Sequence, residues 1–294
     1  MIKIISGSSV PGGSTIALVN LCNQFNKRGH ACIFYGPDRW HLDKCRAEGI
    51  AAFKPEYGDT VIISGIKLFS LTELTRIEEK IRKQREKSRL TPLKDMYLKT
   101  MPGPKKIAGV KFILTCLNRE VSNLKNLKWK IFEKVHYADF SQAKFHNIAR
   151  SHFICPNFGN ALIASDAKPD KTAGVIGTIK SENMIVESVE KAIHDGMGTV
   201  TLFGYLADPV YFYGRIEPLT KKYSGRIRYA GFLDDRQNMY DSISDVYRSV
   251  SKPWSLVRRE CRLTGTRYHG PEPCSDESMS DDQIFAIWKD QLGL

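Results

Sequence analysis

Read from its first residue, the chain sets a strand, a glycine loop and a helix in succession, a pattern best accommodated by a parallel α/β sheet. Ile2–Ile5 is a short β-branched run. A Gly/Ser/Pro loop, Ser6 to Gly13, follows it, and then a helical pattern with Leu18, Leu21, Cys22 and Phe25 on one face. Ser14 is placed to cap that helix and Gly29 to stop it in the left-handed conformation. Ala31–Tyr35 and Val61–Ser64 read as further strands. Strand, loop, helix and strand in this order imply a parallel sheet with right-handed crossovers.

The rhythm is interrupted over 76–106, which ends in the loop chemistry of Met101-Pro-Gly-Pro-Lys-Lys106. It resumes with Lys111–Cys116 (strand), Glu120–Lys134 (helix), Val135–Ala138 (strand), Gln142–Arg150 (helix) and His152–Cys155 (strand). Residues 164–172 read as a linker. A second unit opens with strand Ala173–Gly177. An amphipathic helix over 184–195 carries Ile185, Val186, Val189, Ala192 and Ile193 on one stripe. Thr199–Phe203, Arg226–Ala230 and Asp245–Val250 continue the strands. Ser280-Asp-Asp-Gln283 is a capping box for a final helix with Ile284, Ile287 and Trp288 inward. A chain of 294 residues is long enough for two α/β domains. The expected division is 1–163, 173–275 and a short C-terminal helix within 276–294. No internal repeat and no low-complexity segment is present.

Composition narrows the function. No apolar run is long enough for a membrane span, and the N-terminus lacks a signal-peptide core. The expectation is a cytoplasmic monomer, in a host cytoplasm if the source is viral. The 7 cysteines are scattered, odd in number and free of any Cys-x-x-Cys, which argues against a disulfide framework or zinc site and for buried free thiols. The net charge of +12 is unevenly placed. Residues 76–134 hold 17 Lys/Arg against 6 Asp/Glu, whereas 271–294 hold 6 acids and Lys289 alone. So dense a basic stretch suggests an anionic partner, or else a solvated helix face with a basic loop.

Gly7-Ser-Ser-Val-Pro-Gly-Gly-Ser-Thr15 approaches a nucleotide-triphosphate P-loop but has Gly13 where that loop needs lysine. It also lacks the G-x-G-x-x-G spacing of a dinucleotide fold. What remains is a glycine loop at a helix N-terminus, presenting N–H groups to a phosphate or sugar, or a turn that needs glycine for its backbone alone. His136 reads as a core histidine. No metal-ligand cluster is visible, and none is expected.

Gly12-Gly13-Ser-Thr, Leu21 and Phe25-Asn-Lys-Arg-Gly-His30 resemble the opening of retaining GT-B glycosyltransferases of the family-four type. The resemblance continues through His136-Tyr-Ala-Asp-Phe-Ser-Gln142, His146, Ile154-Cys-Pro-Asn-Phe-Gly159, Val175-Ile-Gly-Thr-Ile-Lys180, Tyr229-Ala-Gly-Phe-Leu233, Tyr240, Asp245-Val-Tyr247 and Trp254-Ser-Leu-Val-Arg-Arg-Glu260. It implies two Rossmann-like α/β domains facing a cleft, the N-terminal one binding acceptor and the C-terminal one binding a nucleotide sugar, a UDP-sugar by expectation, as co-substrate. No bound cofactor is implied.

The implied donor contacts are Gly12, Gly13, Gly177, Lys180, Phe232, Leu233, Ser255, Leu256, Val257 and Glu260. Lys180 supplies charge for the diphosphate, and the helix beginning near Ser255 supplies N–H groups. Glu260 accepts the ribose hydroxyls, as the second Glu of the family's Glu-x(7)-Glu signature does. The chain departs from the family at Lys252, where the first Glu falls, and at Thr178 and Asn183, where the phosphate-binding Arg and Lys fall. Retaining transfer of a hexose or pentose then needs positioning and stabilisation of the departing phosphate. Arg119, Glu120 and Asp139 are the candidates for catalytic or acceptor contacts.

Lys80, Arg82, Lys83, Arg85, Lys105 and Lys106 are candidates for an anionic acceptor. The first expectation is a hydroxymethylated pyrimidine in duplex DNA, as in phage DNA-modifying enzymes, held through its phosphates and flipped from the stack. The second is a lipid-linked or polymeric glycan at a membrane. A third is an inactive GT-B-like nucleic-acid-binding protein.

Overall fold

The structure, a computed structural model, describes residues 1–6, 12–36, 39–64, 110–116, 132–138, 151–165, 167–250, 256–271 and 279–294. Two parallel sheets are present, one in each of two compact units. The first unit comprises Met1–Ser9, Ser14–Phe158 and Ser278–Leu294, and the second Val10–Gly13 and Gly159–Glu277. The segment 164–172, expected as a linker, falls inside the second unit. The C-terminal segment from Ser278 on belongs to the first.

The first sheet holds β1 (Ile2–Ser6), β2 (Cys32–Gly36), β3 (Ala47–Gly49), β4 (Thr60–Ser64), β5 (Lys111–Cys116), β6 (Lys134–Tyr137) and β7 (His152–Ile154). Their order is β3-β2-β1-β4-β5-β6-β7, every pair parallel. Ile4 lies beside Phe34 on one side and Ile62 on the other. Near-continuous apolar runs suit strands covered on both faces. β3, Ala-Glu-Gly, escaped the sequence reading because it is short, mostly exposed and without a β-branched residue.

Helix α1 (Gly13–Lys27) starts one residue before Ser14, which therefore lies in the first turn rather than ahead of it. Leu18, Leu21, Cys22 and Phe25 face the core as their spacing requires. Gly29, at φ 81°, ends the helix. His30 N–H bonds to Phe25 O and Gly29 N–H to Asn26 O, the paired bonds of a Schellman stop. The helix expected over Glu120–Lys134 falls on undescribed residues up to 131, and Lys134 itself opens β6. Gln142–Arg150 lies outside the described residues.

The last helix, here α6 (Asp281–Leu292), has the capping box in both directions between Ser280 and Gln283. Its inward face packs into the first unit. Trp288 meets Phe25 and Phe153 edge-on at 6.2 and 5.1 Å between ring centroids. Lys111 and Lys134 donate to the carbonyls of Leu292 and Gln291, where the helix dipole is negative. His136 lies beneath Trp288, its ring centroid 4.5 Å away. Its Nε2 contacts Cys155 O at 2.7 Å and its Nδ1 contacts Thr115 Oγ1 at 2.7 Å. A carbonyl only accepts, so Nε2 donates and Nδ1 accepts from the threonine hydroxyl. His136 is therefore a satisfied core histidine, and burial lowers its pKa to about 4.

The second sheet holds β8 (Thr172–Ile176), β9 (Thr199–Phe203), β10 (Ile227–Gly231), β11 (Asp245–Tyr247) and β12 (Arg267–His269), ordered β10-β9-β8-β11-β12 and all parallel. α2 (Ile185–His194) covers one face through Ile185, Val186, Val189 and Ala192. α3 (Glu217–Lys222) follows β9, and α4 (Arg236–Asp241) follows β10. α5 (Leu256–Thr264) precedes β12. The strand expected to run to Val250 ends at Tyr247, and β12 was missed because Arg-Tyr-His carries no strand signature.

Two predictions follow from the first unit. Lys3 and Asp59 form an ion pair at 2.5 Å with both side chains almost wholly buried. Lys3→Met should lower the urea unfolding free energy by about 3 kcal/mol, because the buried Asp59 keeps the Glu56 N–H and the partly exposed N-terminal ammonium but loses its close, buried cation; a loss under about 1 kcal/mol would refute this. His136 has its folded pKa below the ordinary histidine value, so the unfolded chain binds the extra proton first as pH falls. Stability should therefore rise between pH ~4 and ~6.5, by up to roughly 3 kcal/mol, and level off above. In His136→Gln that part of the pH slope should vanish.

Candidate functional site

In parallel sheets of this kind, ligands collect at the carboxyl ends of strands, where the strand order reverses. β8 is that point in the second sheet, with β9 and β10 on one side and β11 and β12 on the other. The strands on the β9 side end in glycine. Gly177 follows β8 at φ 156°, Gly204 follows β9 at φ 152°, and Gly231 ends β10 at φ 76°. Gly177 N–H donates to Phe203 O at 2.9 Å, and Gly204 N–H to Gly231 O at 2.8 Å. A Cβ on Gly204 would stand 1.9 Å from Gly177 O. Three neighbouring strands thus finish in a row without side chains, where a ligand can approach the backbone.

Chemistry-bearing groups surround this edge. Beyond Gly177, Ile179 pairs with Leu206, fixing Thr178–Lys180 beside the loop after β9. Asn183 bonds to Thr178 O and is buried. The Lys180 side chain is 38% exposed and stands 3.7 Å from Glu182, a loose contact that leaves its ammonium accessible. Phe232 and Leu233 follow Gly231, half-buried, with Leu233 against the core. Asp235 caps α4 by accepting from Asn238 N–H, and Arg236 is the first helical residue.

Glu260 is the centre of the buried chemistry. Amphipathic α5 turns it inward to 0% exposure. Its carboxylate accepts from Asn160 Nδ2, Arg236 Nη2 and, at 2.8 Å, the Tyr240 hydroxyl. Asn160 thus meets Oε1, and Arg236 and Tyr240 meet Oε2, so the carboxylate expected at the ribose is enclosed by protein donors in this structure. Burial raises the Tyr240 pKa well above its usual range, and the adjacent carboxylate adds to the shift. For Arg236, burial pulls downward, but Glu260 outweighs it and the guanidinium is held charged. Gly159 lies against Arg259, its added Cβ 3.0 Å from Arg259 Nε.

Of the expected donor residues, Gly177, Lys180, Phe232, Leu233, Leu256, Val257 and Glu260 all lie in the second unit. Leu256 and Val257 are core side chains, buried to 8% and 9% exposure, so only their backbone remains to meet a ligand. Gly12 and Gly13 stand at the start of α1, and a Cβ on Gly13 would meet nothing within 4 Å. Ser255, Arg119, Glu120, Asp139, Lys80, Arg82, Lys83, Arg85, Lys105 and Lys106 lie outside the described residues. The sequence reading missed Asn160, Gly204, Gly231, Arg236 and Tyr240 as parts of the site. For Gly204 the signal was present, since it follows the apolar run Thr199–Phe203, whereas Gly231 ends the mixed, mostly exposed run Ile-Arg-Tyr-Ala. Among the described residues, no three His, Cys, Asp or Glu side chains are grouped to hold a metal ion. No described helix is long and apolar enough to cross a membrane.

The glycine row separates two substitutions. Gly204→Ala combines a forbidden φ with a backbone collision and should cost at least about 3 kcal/mol. Gly231→Ala meets open space and should cost about 1 kcal/mol. Equal melting temperatures for the two variants would contradict the geometry.

No protein-family model and no curated protein matches the sequence. Solved structures do match the fold. HepE from Anabaena, solved with UDP and glucose, superposes with a TM-score of 0.60 at 11% identity, over 99% of this chain and 90% of that one. The pneumococcal O-GlcNAc transferase GtfA, solved with UDP and GlcNAc, gives 0.62 at 8% identity, over 99% and 91%. A glycosyltransferase from Rickettsia africae gives 0.57 at 13% identity, over 99% and 89%. At these identities the likeness establishes architecture. The chain has the two-sheet α/β fold of GT-B glycosyltransferases.

Proposed function

We propose that the protein is a glycosyltransferase whose second unit takes a nucleotide-sugar donor, a UDP-sugar, at the carboxyl ends of β8, β9 and β10. The observation that carries this reading is the glycine row Gly177–Gly204–Gly231, set at the strand-order reversal of a fold shared with proteins solved with UDP and a sugar. Backbone there is open to a ligand, and Lys180 offers an accessible cation for a diphosphate. The α5 N-terminus adds N–H groups and a favourable dipole. Transfer with retention follows from the sequence resemblance. It asks the protein to position the donor and stabilise the departing diphosphate, which can itself take the acceptor proton.

The acceptor reading rests on charge. The excess of Lys/Arg over 76–134 suits an anionic acceptor or carrier. Duplex DNA bearing hydroxymethylated pyrimidine is the acceptor we carry forward. Duplex affinity falling steeply with salt supports it, and transfer to a lipid-linked or polymeric glycan without DNA affinity replaces it.

Incubation with a panel of UDP-sugars should release UDP slowly even without acceptor. Lys180→Ala should weaken donor binding about tenfold while leaving the melting temperature unchanged. No UDP release from any common donor, with or without acceptor, would contradict an enzymatic role and favour an inactive binding protein.

A further inference from the structure

Arg236 leaves part of its hydrogen-bonding capacity unused among the described residues. A guanidinium carries five N–H donors in a rigid fork. Here the side chain is only 15% exposed. One Nη2–H reaches Glu260 Oε2. Among the described residues Nη1 meets just the Met239 sulfur, at 3.7 Å, a weak acceptor. Nε is buried and has no partner. Buried donors are nearly always paired, so a cation left this way requires an explanation.

The surroundings make the imbalance one-sided. Glu260 needs nothing further, since Asn160 and Tyr240 also donate to its carboxylate. The guanidinium is held in place from two directions: by that carboxylate and by the Tyr240 ring, whose centroid is 5.6 Å from Cζ. Arg236 also follows Gly231 by five residues, at the carboxyl end of β10, where the bare strand ends meet. Nε itself is enclosed, so it is through the exposed part of the fork that the guanidinium, beside the bare strand ends, suits a ligand rich in oxygen acceptors.

We infer that Arg236, oriented by Glu260, is a donor-binding residue that hydrogen-bonds the oxygen acceptors of a nucleoside diphosphate. The inference rests on the donor reading above and refines it. Glu260 acts as a positioning residue, and the group that meets the nucleotide is its arginine partner. The two roles differ in how the substitutions combine. If the carboxylate held the ribose by itself, losses from Glu260 and Arg236 substitutions would add. If it holds Arg236, its charge matters only while the arginine is present, and the losses do not add.

The test uses the full chain, with UDP as the probe and calorimetry as the readout. Wild-type protein should bind UDP. Arg236→Lys, which retains the positive charge beside Glu260 but not the fork, should raise Kd at least about tenfold. Glu260→Gln should also weaken UDP binding, and adding it to Arg236→Lys should cost nothing further, because Glu260 acts through Arg236. Thermal melts and circular dichroism establish that the variants are folded. If Glu260→Gln does not fold, Arg236→Lys alone decides. Wild-type Kd in Arg236→Lys would overturn the inference, as would a further tenfold loss when Glu260→Gln is added to it. Absence of UDP binding in the wild type would instead overturn the donor reading itself.

Discussion

A carboxylate with no access to water organises one end of the second unit. Glu260 joins three segments that the chain brings together from far apart: Asn160 just past the crossing between the units, Arg236 and Tyr240 on α4, and α5 itself. An ion buried this deeply is tolerated only when its partners are complete. Loss of any one partner leaves a charge or a donor stranded, so α4, α5 and the segment at Asn160 hold one another in register. Lys168 reinforces the same neighbourhood, reaching Tyr240 O at 2.8 Å and Thr266 Oγ1 at 2.9 Å.

Against that fixed frame, the strand ends are kept bare. The approach of Gly204 to Gly177 O excludes every other residue, so a requirement of packing also leaves the edge without side chains. Backbone geometry and ligand access thus have one cause. The first sheet shares the strand-order reversal, at β1, but its neighbourhood is built differently. Two of its buried polar pairs, Lys3 with Asp59 and His136 with Thr115, are satisfied within the fold.

How much of this was legible follows from the range of each interaction. Strands such as Thr199–Phe203 and Lys111–Cys116 stood out because apolar runs report burial locally. The Schellman stop at Gly29 and the capping box at Ser280 were readable because both lie within a few residues. β3 and β12 carry few apolar residues, and only pairing with a neighbour makes them strands. Leu256 and Val257 were expected at the donor from resemblance, and the amphipathic turn of α5 buries their side chains, so the backbone is what such a contact would use. The Glu260 partners were beyond reach: Arg236 lies 24 residues away and Asn160 lies 100. A pattern of residue types does not reveal which distant donors will enclose a carboxylate.

The central claim is that a nucleotide sugar is held at the strand ends of the second sheet. Hydrogen exchange with and without a saturating UDP-sugar tests it most directly, because it reports where backbone amides become protected. The account predicts slowed exchange in the loops at 177–180, 204–206 and 231–236, with the opposite ends of the same strands unchanged. Protection confined to the first unit, or none at all, would contradict it.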